Sequence, residues 1–262
     1  MKISVAMITL NEEKILRKTL NSVKGLVDEI VIVDSGSTDS TEMIAREFGA
    51  RFFVEPWKGY GPQRNSAIDK CQGEWILNID ADEELSEPLI EKIREIVNEN
   101  NPEKKVYKIN RLSVCFGKQL KYGGWGTSYA VRLFKKEVGR FNDNSVHEEF
   151  KTEEKIFKIK EDIFHHSYLT MEDYFTRFNR YTTEGAREYY KQGKKVSIFD
   201  IVLNPLYKFI KMYIIRLGFL DGIPGFVISC TSAMYSMIKY FKLREMYKNG
   251  AYIQKNNSIK NG

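Results

Sequence analysis

The sequence predicts an α/β fold: an open, mostly parallel central sheet with helices on both faces, followed by a helical C-terminal region. Three observations carry this expectation. Short, continuously apolar runs recur through the first 80 residues, separated by stretches of helical periodicity; buried parallel strands and their crossover helices give that alternation. The polar segments Thr9-Leu-Asn-Glu12, Asp34-Ser-Gly-Ser-Thr-Asp39 and Asp80-Ala-Asp-Glu-Glu84 each follow an apolar run. They therefore share the carboxyl edge of the sheet, where such sheets bind ligands. From about residue 167 the texture changes to aromatic and apolar helical stretches bordered by Lys and Arg.

Residues 2–8 are the first strand. Asn11 is placed to cap the next helix, Glu12 and Glu13 suit its positive end, and Ile15, Leu16, Thr19, Leu20 and Val23 repeat at helical spacing up to Gly25. Residues 29–33 are a second strand. Asp39 with Glu42 three later reads as a capping box for a helix that Gly49 ends, and residues 51–54 are a third strand. Pro62 sits near the start of a helix over residues 63–71.

The run 75–80 is a strand ending in acidic residues. Asp80 and Asp82 are two apart, so an extended backbone would project both from one face. Two carboxylates on one face repel unless a cation lies between them, and a hard divalent ion shared with a substrate's phosphates meets that need. The plain alternative is that Asp82 only caps the next helix. That helix has Ser86 as cap and Pro88 in its first turn, with Leu89, Ile90, Ile93, Ile96 and Val97 facing inward. Past Pro102, strands at 106–109 and 130–134 flank the turn Gly123-Gly-Trp-Gly126.

With 262 residues, 42% hydrophobic and 29% charged, the chain has the composition of a globular protein. Its net charge of +6 suits anionic partners. Cys71, Cys115 and Cys230 are widely spaced and read as reduced structural thiols. The N-terminus opens directly into a strand, without a secretory leader. Residues 198–215 and 222–238 are apolar but interrupted, the first by Asp200, Pro205, Lys208 and Lys211. Neither is a clean stretch of about 20 apolar residues. With Lys208, Lys211, Arg216, Lys239, Lys242 and Arg244 alongside, an in-plane membrane contact is expected, with a buried helical subdomain or oligomer face as the alternative.

The first strand-to-helix turn is not G-x-G-x-x-G, and no G-x-x-x-x-G-K-[ST] loop occurs, which excludes the dinucleotide fingerprint and the P-loop. A haloacid-dehalogenase-type phosphatase would carry its D-x-D on the first strand, followed by Thr or Val; here the pair is late and followed by Glu83. A nucleotidyltransferase would need a Gly-rich, Arg-containing loop after the first strand, which is missing.

The motifs Ile3-Ser-Val-Ala-Met-Ile-Thr-Leu-Asn-Glu-Glu13, Val31-Ile-Val-Asp-Ser-Gly-Ser-Thr-Asp39, Gln63-Arg-Asn-Ser-Ala67 and Asp80-Ala-Asp82 together resemble family 2 glycosyltransferases of the Rossmann-like GT-A fold. With Val146-His-Glu148, His165-His-Ser-Tyr168 and Gly218-Phe-Leu-Asp-Gly222, the chain resembles the lipopolysaccharide-core β-1,4-glucosyltransferase-like branch over nearly its whole length. The resemblance implies a catalytic domain over 1–166, with a nucleotide-sugar half (1–100) and an acceptor half (101–166), and a membrane-associating or oligomerising region over 167–262. It implies a UDP-sugar donor met by Thr9, Glu12, Asp34, Arg64 and Asp80, and Mg²⁺ or Mn²⁺ held by Asp82. His165 would complete the metal shell, with His166 as fallback. Transfer with inversion needs a base; Glu148 is the first candidate and Glu149 the second. Gly124 and Trp125 would form the acceptor loop.

The implied acceptor is a lipid-linked saccharide such as lipooligosaccharide core. The implied location is cytoplasmic, peripheral on the inner face of the cell membrane, with no nucleic-acid partner and a possible homo-oligomer. A catalytically silent GT-A domain serving membrane-bound assembly is the competing reading.

Overall fold

The computed structural model describes residues 2–99, 101–143 and 148–260, with side chains as far as Lys248. The chain divides into two compact units, Met1–Ser113 with Thr127–Ser167, and Val114–Gly126 with Tyr168–Gly262.

The first unit opens with β1 (Ile3–Thr9), α1 (Leu16–Val23), β2 (Glu29–Asp34), α2 (Thr41–Glu47), β3 (Arg51–Val54), α3 (Tyr60–Lys70) and β4 (Trp75–Asn78). It continues with β5 (Glu83–Leu85), α4 (Glu87–Glu99) and β6 (Val106–Cys115), whose last two residues belong to the second unit. After the short β7 (Lys118–Gln119) of the second unit come β8 (Ser128–Lys135), β9 (Arg140–Phe141), β10 (Phe150–Lys151) and β11 (Ile156–Tyr168). The main sheet has the order β3-β2-β1-β4-β8-β6-β11-β5. The β3-β2-β1-β4 half is parallel, β8 is antiparallel to β4 and β6, and β5 is antiparallel to β11.

The two-residue period of the strands divides the core between the faces of this sheet. Ile3, Val5, Met7, Ile30 and Ile32 pack with Leu16 and Leu20 of α1, Ile44 of α2, and Leu89 and Ile93 of α4. Ala6, Val31 and Val33 pack with Ala67 and Ile68 of α3. Leu16, Leu20, Leu89 and Ile93 are fully buried, and each such side chain contributes roughly 1.5–3 kcal/mol. Continuous apolar strands are therefore what a sheet covered on both faces requires.

Two close approaches fix the acidic edge. A Cβ on Gly61 would lie 1.8 Å from the Asn142 carbonyl oxygen, so only glycine lets α3 pass there. Asn65 of α3 then pairs with the Phe141 backbone in both directions, at 2.8 and 3.0 Å. The helix begins at Tyr60, earlier than the residue 63 expected from the Pro62 signal.

The second unit contains β7, which pairs with the end of β6, and α5 (Met171–Lys191), α6 (Ile198–Phe209) and α7 (Gly222–Lys260). Thr170 caps α5, and Ser197 with Asp200 forms a capping box on α6. Its core gathers Cys115, Leu120, Tyr174, Met212 and Ile228, with Trp125, Tyr168 and Phe178 packed against them. Burial pushes the Cys115 thiol up to about 12, and does the same to Cys71 in the first unit, as inert structural cysteines require.

Candidate active site

The loops after β1 and β2 are stitched to each other. Thr38 N–H donates to Asn11 Oδ1 at 2.8 Å, Glu12 N–H to Thr41 Oγ1 at 2.8 Å, Glu13 N–H to Asp39 Oδ2 at 3.1 Å, and Ser40 N–H to Glu13 Oε2 at 3.0 Å. Asn11 adopts φ 56° to make this contact. The expected caps are thus corrected: Asn11 does not cap α1, and Asp39 forms no capping box, because α1 and α2 lack side-chain caps. Asn11 accepts from the neighbouring loop instead of the helix; Asp39 Oδ1 does accept Thr41 N–H at 3.0 Å at the start of α2, but Glu42 pairs with Arg46 and closes no box.

Asp34 ends β2 fully buried. Its Oδ1 accepts Gly36 N–H and Ser37 N–H at 2.8 and 2.6 Å, and its Oδ2 accepts the hydroxyls of Thr9 and Ser37 at 2.7 and 2.5 Å. Four bonds occupy a carboxylate's acceptor sites. Asp34 and Thr9 therefore shape the loop. Glu12 is half-buried beside them.

Asp80 and Asp82 do not lie on an extended strand. β4 stops at Asn78, and Glu83 N–H donates back to Asp80 O at 3.1 Å, closing a turn. The shared face expected for the two carboxylates is therefore absent, and each finds its own partners. Asp80 Oδ1 accepts from Arg64 at 2.5 Å and Oδ2 from Arg132 at 2.7 Å. Burial alone would raise the Asp80 pKa; the guanidiniums of Arg132, Arg64 and Arg111 outweigh it and hold the group well below the usual carboxylate range. Arg132 is correspondingly held above its ordinary value: burial opposes its charge, and Asp80 and Glu83 prevail.

Glu83 is the hub of this turn. It has no exposed surface, takes the Asp80 N–H on Oε2 at 3.0 Å, and binds Arg132 on Oε1 at 2.7 Å. Arg111 Nε approaches the same Oε1 at 2.6 Å, an ion pair without hydrogen-bond alignment. Thr19 of α1 donates to Ala81 O at 2.7 Å and fixes the turn from the other side.

Arg64 joins the turn to the segment before β10. Its Nη1 donates to Asn78 Oδ1 at 3.0 Å, and its Nη2 also lies 3.5 Å from Glu148. Glu149 is directed elsewhere: it is exposed and pairs with Lys151 at 2.5 Å. His147, beside them, lies outside the described residues.

The histidines separate in the same way. His165 Nε2 lies 3.4 Å from Asp82 Oδ2, and its Nδ1 lies 2.8 Å from Ser167 Oγ. A proton on Nδ1 directed to that hydroxyl leaves the Nε2 lone pair beside Asp82. His166 is bound to Glu84 at 2.8 Å and lies 3.4 Å from Lys18. Among the described residues no three His, Cys, Asp or Glu side chains form a metal cluster. Asp82 and His165 offer one oxygen and one nitrogen, which fits an ion that completes its shell from phosphates and water.

Gly124 and Trp125 belong to the second unit. Gly123 and Gly124 take φ 66° and 91°, and Trp125 packs 6.1 Å from the Tyr168 ring. Buried Asp221 of the Gly218–Gly222 motif accepts Lys121 N–H and Tyr122 N–H at 3.0 and 2.9 Å, so that motif organises the glycine loop.

The family model of glycosyl transferase family 2 matches residues 4–144, more than half of the chain. The chain belongs to this family. An uncharacterized glycosyltransferase of Rickettsia felis is 36% identical over 93% of this chain and 90% of its own. The lipopolysaccharide core biosynthesis glycosyltransferase LpsC of Rhizobium meliloti is 29% identical over 94% of this chain and 93% of its own. Among solved structures, S. aureus TarS 1-349 in complex with UDP aligns over 95% of this chain and 92% of that one, at 16% identity and a TM-score of 0.44.

The fold of this family 2 glycosyltransferase is GT-A, its parallel half carrying the three polar strand ends. Sequence reasoning missed Glu83, Arg111 and Arg132 as members of the site. One signal was present: Arg132 interrupts the apolar run Ala130-Val-Arg-Leu-Phe134, and a charge inside a buried strand needs a partner.

Proposed function

We propose that this glycosyltransferase is an inverting, metal-assisted hexosyltransferase, moving a sugar from a UDP-sugar to a hydroxyl of a lipid-linked saccharide of the lipooligosaccharide-core type, with glucose the first donor to test. The observation that carries the reading is the reach of one side chain: Arg64 binds Asp80 of the D-x-D turn and lies within ion-pair distance of Glu148. The donor turn and a candidate base thus stand one guanidinium apart. The similarity to LpsC, named for lipopolysaccharide core biosynthesis, supports the acceptor class.

The Asp34 loop receives the uridine, with Glu12 beside it. Asp80, fixed by two guanidiniums, faces the ribose. Asp82 and His165 would hold Mg²⁺ or Mn²⁺, and the ion, when bound, would neutralise charge on the leaving UDP. Glu148 takes the proton from the acceptor hydroxyl as its oxygen bonds to the anomeric carbon. The bond from that carbon to the phosphate oxygen breaks on the opposite face, and its electron pair leaves with UDP. Arg64 orients Glu148 while keeping Asp80 in place.

The test is UDP release from UDP-glucose and other UDP-sugars, with and without Mn²⁺. The expected result is metal-dependent release that Asp82→Ala lowers by about a hundredfold or more. A folded protein that shifts its melting temperature with UDP yet releases none from any UDP-sugar would instead be a silent binding domain.

A further inference from the structure

The second unit contains a helical elbow whose outward face is apolar. α6 passes into the π-helical turn Ile210–Ile215, and the chain then bends by 69° before α7. The bend has a local cause: Leu217, between the two arms, adopts a left-handed φ of 57°. Pro205 and Met212 face inward. Phe199, Leu206, Ile214, Ile215, Leu220 and Ile223 are 52–80% exposed. This reverses the amphipathicity of an ordinary surface helix, and an apolar face of this extent marks an interaction surface.

The charge around it selects the partner. From residue 201 to 244 the only acid is Asp221, which is buried and bonded to the Lys121 and Tyr122 amides. The same stretch holds Lys208, Lys211, Arg216, Lys239, Lys242 and Arg244; Arg216 and Arg244 are exposed, the lysines are half-buried, and Lys242 donates to Asn179, Thr182 and Thr183 of α5. A second copy docked by two-fold symmetry would set these cations against their own images. An anionic lipid surface complements them. No single helix among the described residues is long and apolar enough to cross a membrane; the pair passes that test only together, and a 69° bend breaks it.

We propose that the α6–α7 elbow seats in one leaflet of an anionic membrane, with its apolar side chains below the headgroups and its exposed cations, Arg216 and Arg244, at the phosphates. The glycine loop is tied to this elbow: Gly123 N–H donates to Arg216 O at 2.9 Å. On the acceptor reading above, that places the loop where a lipid-linked saccharide lies; the membrane contact itself does not depend on that reading.

The test is co-sedimentation of the full-length protein with vesicles of phosphatidylglycerol and phosphatidylcholine, and with phosphatidylcholine alone. The expected result is binding to the anionic vesicles that weakens in high salt. Leu220→Glu with Ile223→Glu should lower partitioning roughly tenfold or more with an unchanged thermal melt, since both side chains are exposed. In an Ile223→Trp variant, brominated lipid should quench the new fluorescence. Wild type remaining in the supernatant with both vesicles, or a double variant that binds like wild type, would overturn the proposal. So would a stable dimer that the double variant dissolves. UDP release measured without lipid reads the catalytic proposal separately.

Discussion

The guanidinium of Arg132 lies 2.7 Å from the Asp80 carboxylate, on the buried side of the turn that presents Asp82. The same group binds Glu83, which has no exposed surface. One cation therefore holds two carboxylates that would otherwise repel. Removing one partner of a buried pair leaves an uncompensated charge and costs about 3–5 kcal/mol. Arg132→Met is expected to lose stability of this order in urea unfolding, and the metal dependence of UDP release should weaken with it. Arg132→Lys should recover part of the loss, because a single nitrogen, Nη2, makes both contacts and an ammonium keeps the charge but has to reach the same point. An Arg132→Met protein as stable as wild type would show that the network is dispensable.

The strands and most helices were legible because their signals are local. Ile3, Val5 and Met7 against Ala6 announce a two-faced strand, and Leu89, Ile93 and Ile96 a one-faced helix. The caps were not legible. Asn11 and Asp39 have side chains that satisfy helix N-termini, yet each bonds a loop distant in sequence. The D-x-D was visible as a motif, but its turn was not, since the turn depends on Glu83 reaching back to the Asp80 amide and on Arg132 from β8. No spacing rule ties residue 83 to residue 132. Their pairing is made where the turn after β4, which lies beside β8, carries the chain to Glu83.

Glu148 and Glu149 are adjacent in sequence and opposite in surroundings. Glu148 lies 3.5 Å from Arg64, whereas Glu149 is exposed and paired with Lys151. Glu148→Gln keeps the shape and removes the proton acceptor. Its kcat should fall by about 10²–10⁴-fold with little change in KM for the UDP-sugar. Glu149→Gln should stay within about twofold, as surface ion pairs carry little energy. Steady-state kinetics on both variants decides the assignment, and the reverse ranking would move the base to Glu149.

His165 and His166 divide in a similar manner. His165 has one ring nitrogen beside Asp82 and the other beside Ser167. His165→Ala should raise the Mn²⁺ concentration for half-maximal UDP release by about 10–100-fold while leaving the thermal melt nearly unchanged. His166 is buried on Glu84 and Lys18. His166→Ala should cost about 1 kcal/mol of stability and leave the metal titration in place. Equal metal titrations for wild type and His165→Ala would exclude this histidine as a ligand.

Glu55 links the carboxyl edge of β2 to acid stability. Its N–H donates to Asp34 O at 2.9 Å, and its carboxylate binds Lys70 at 2.6 Å, Ser66 at 2.7 Å and Lys58 at 2.9 Å. Lys70 foremost, then Ser66 and Lys58, lower its pKa from an ordinary 4.5 to about 2. A carboxyl group whose folded pKa lies below its unfolded value binds protons more readily when unfolded, so its stabilisation is complete above the unfolded pKa. It is then lost as pH falls through the folded pKa. The window for Glu55 therefore runs from about 4.5 down to about 2. Glu55→Gln should lower stability at pH 7 by about 1–2 kcal/mol, after allowance for solvent screening. It should also flatten the decline in urea midpoint across that window relative to wild type. Parallel curves for the two proteins between those limits would place the acid sensitivity in other carboxylates.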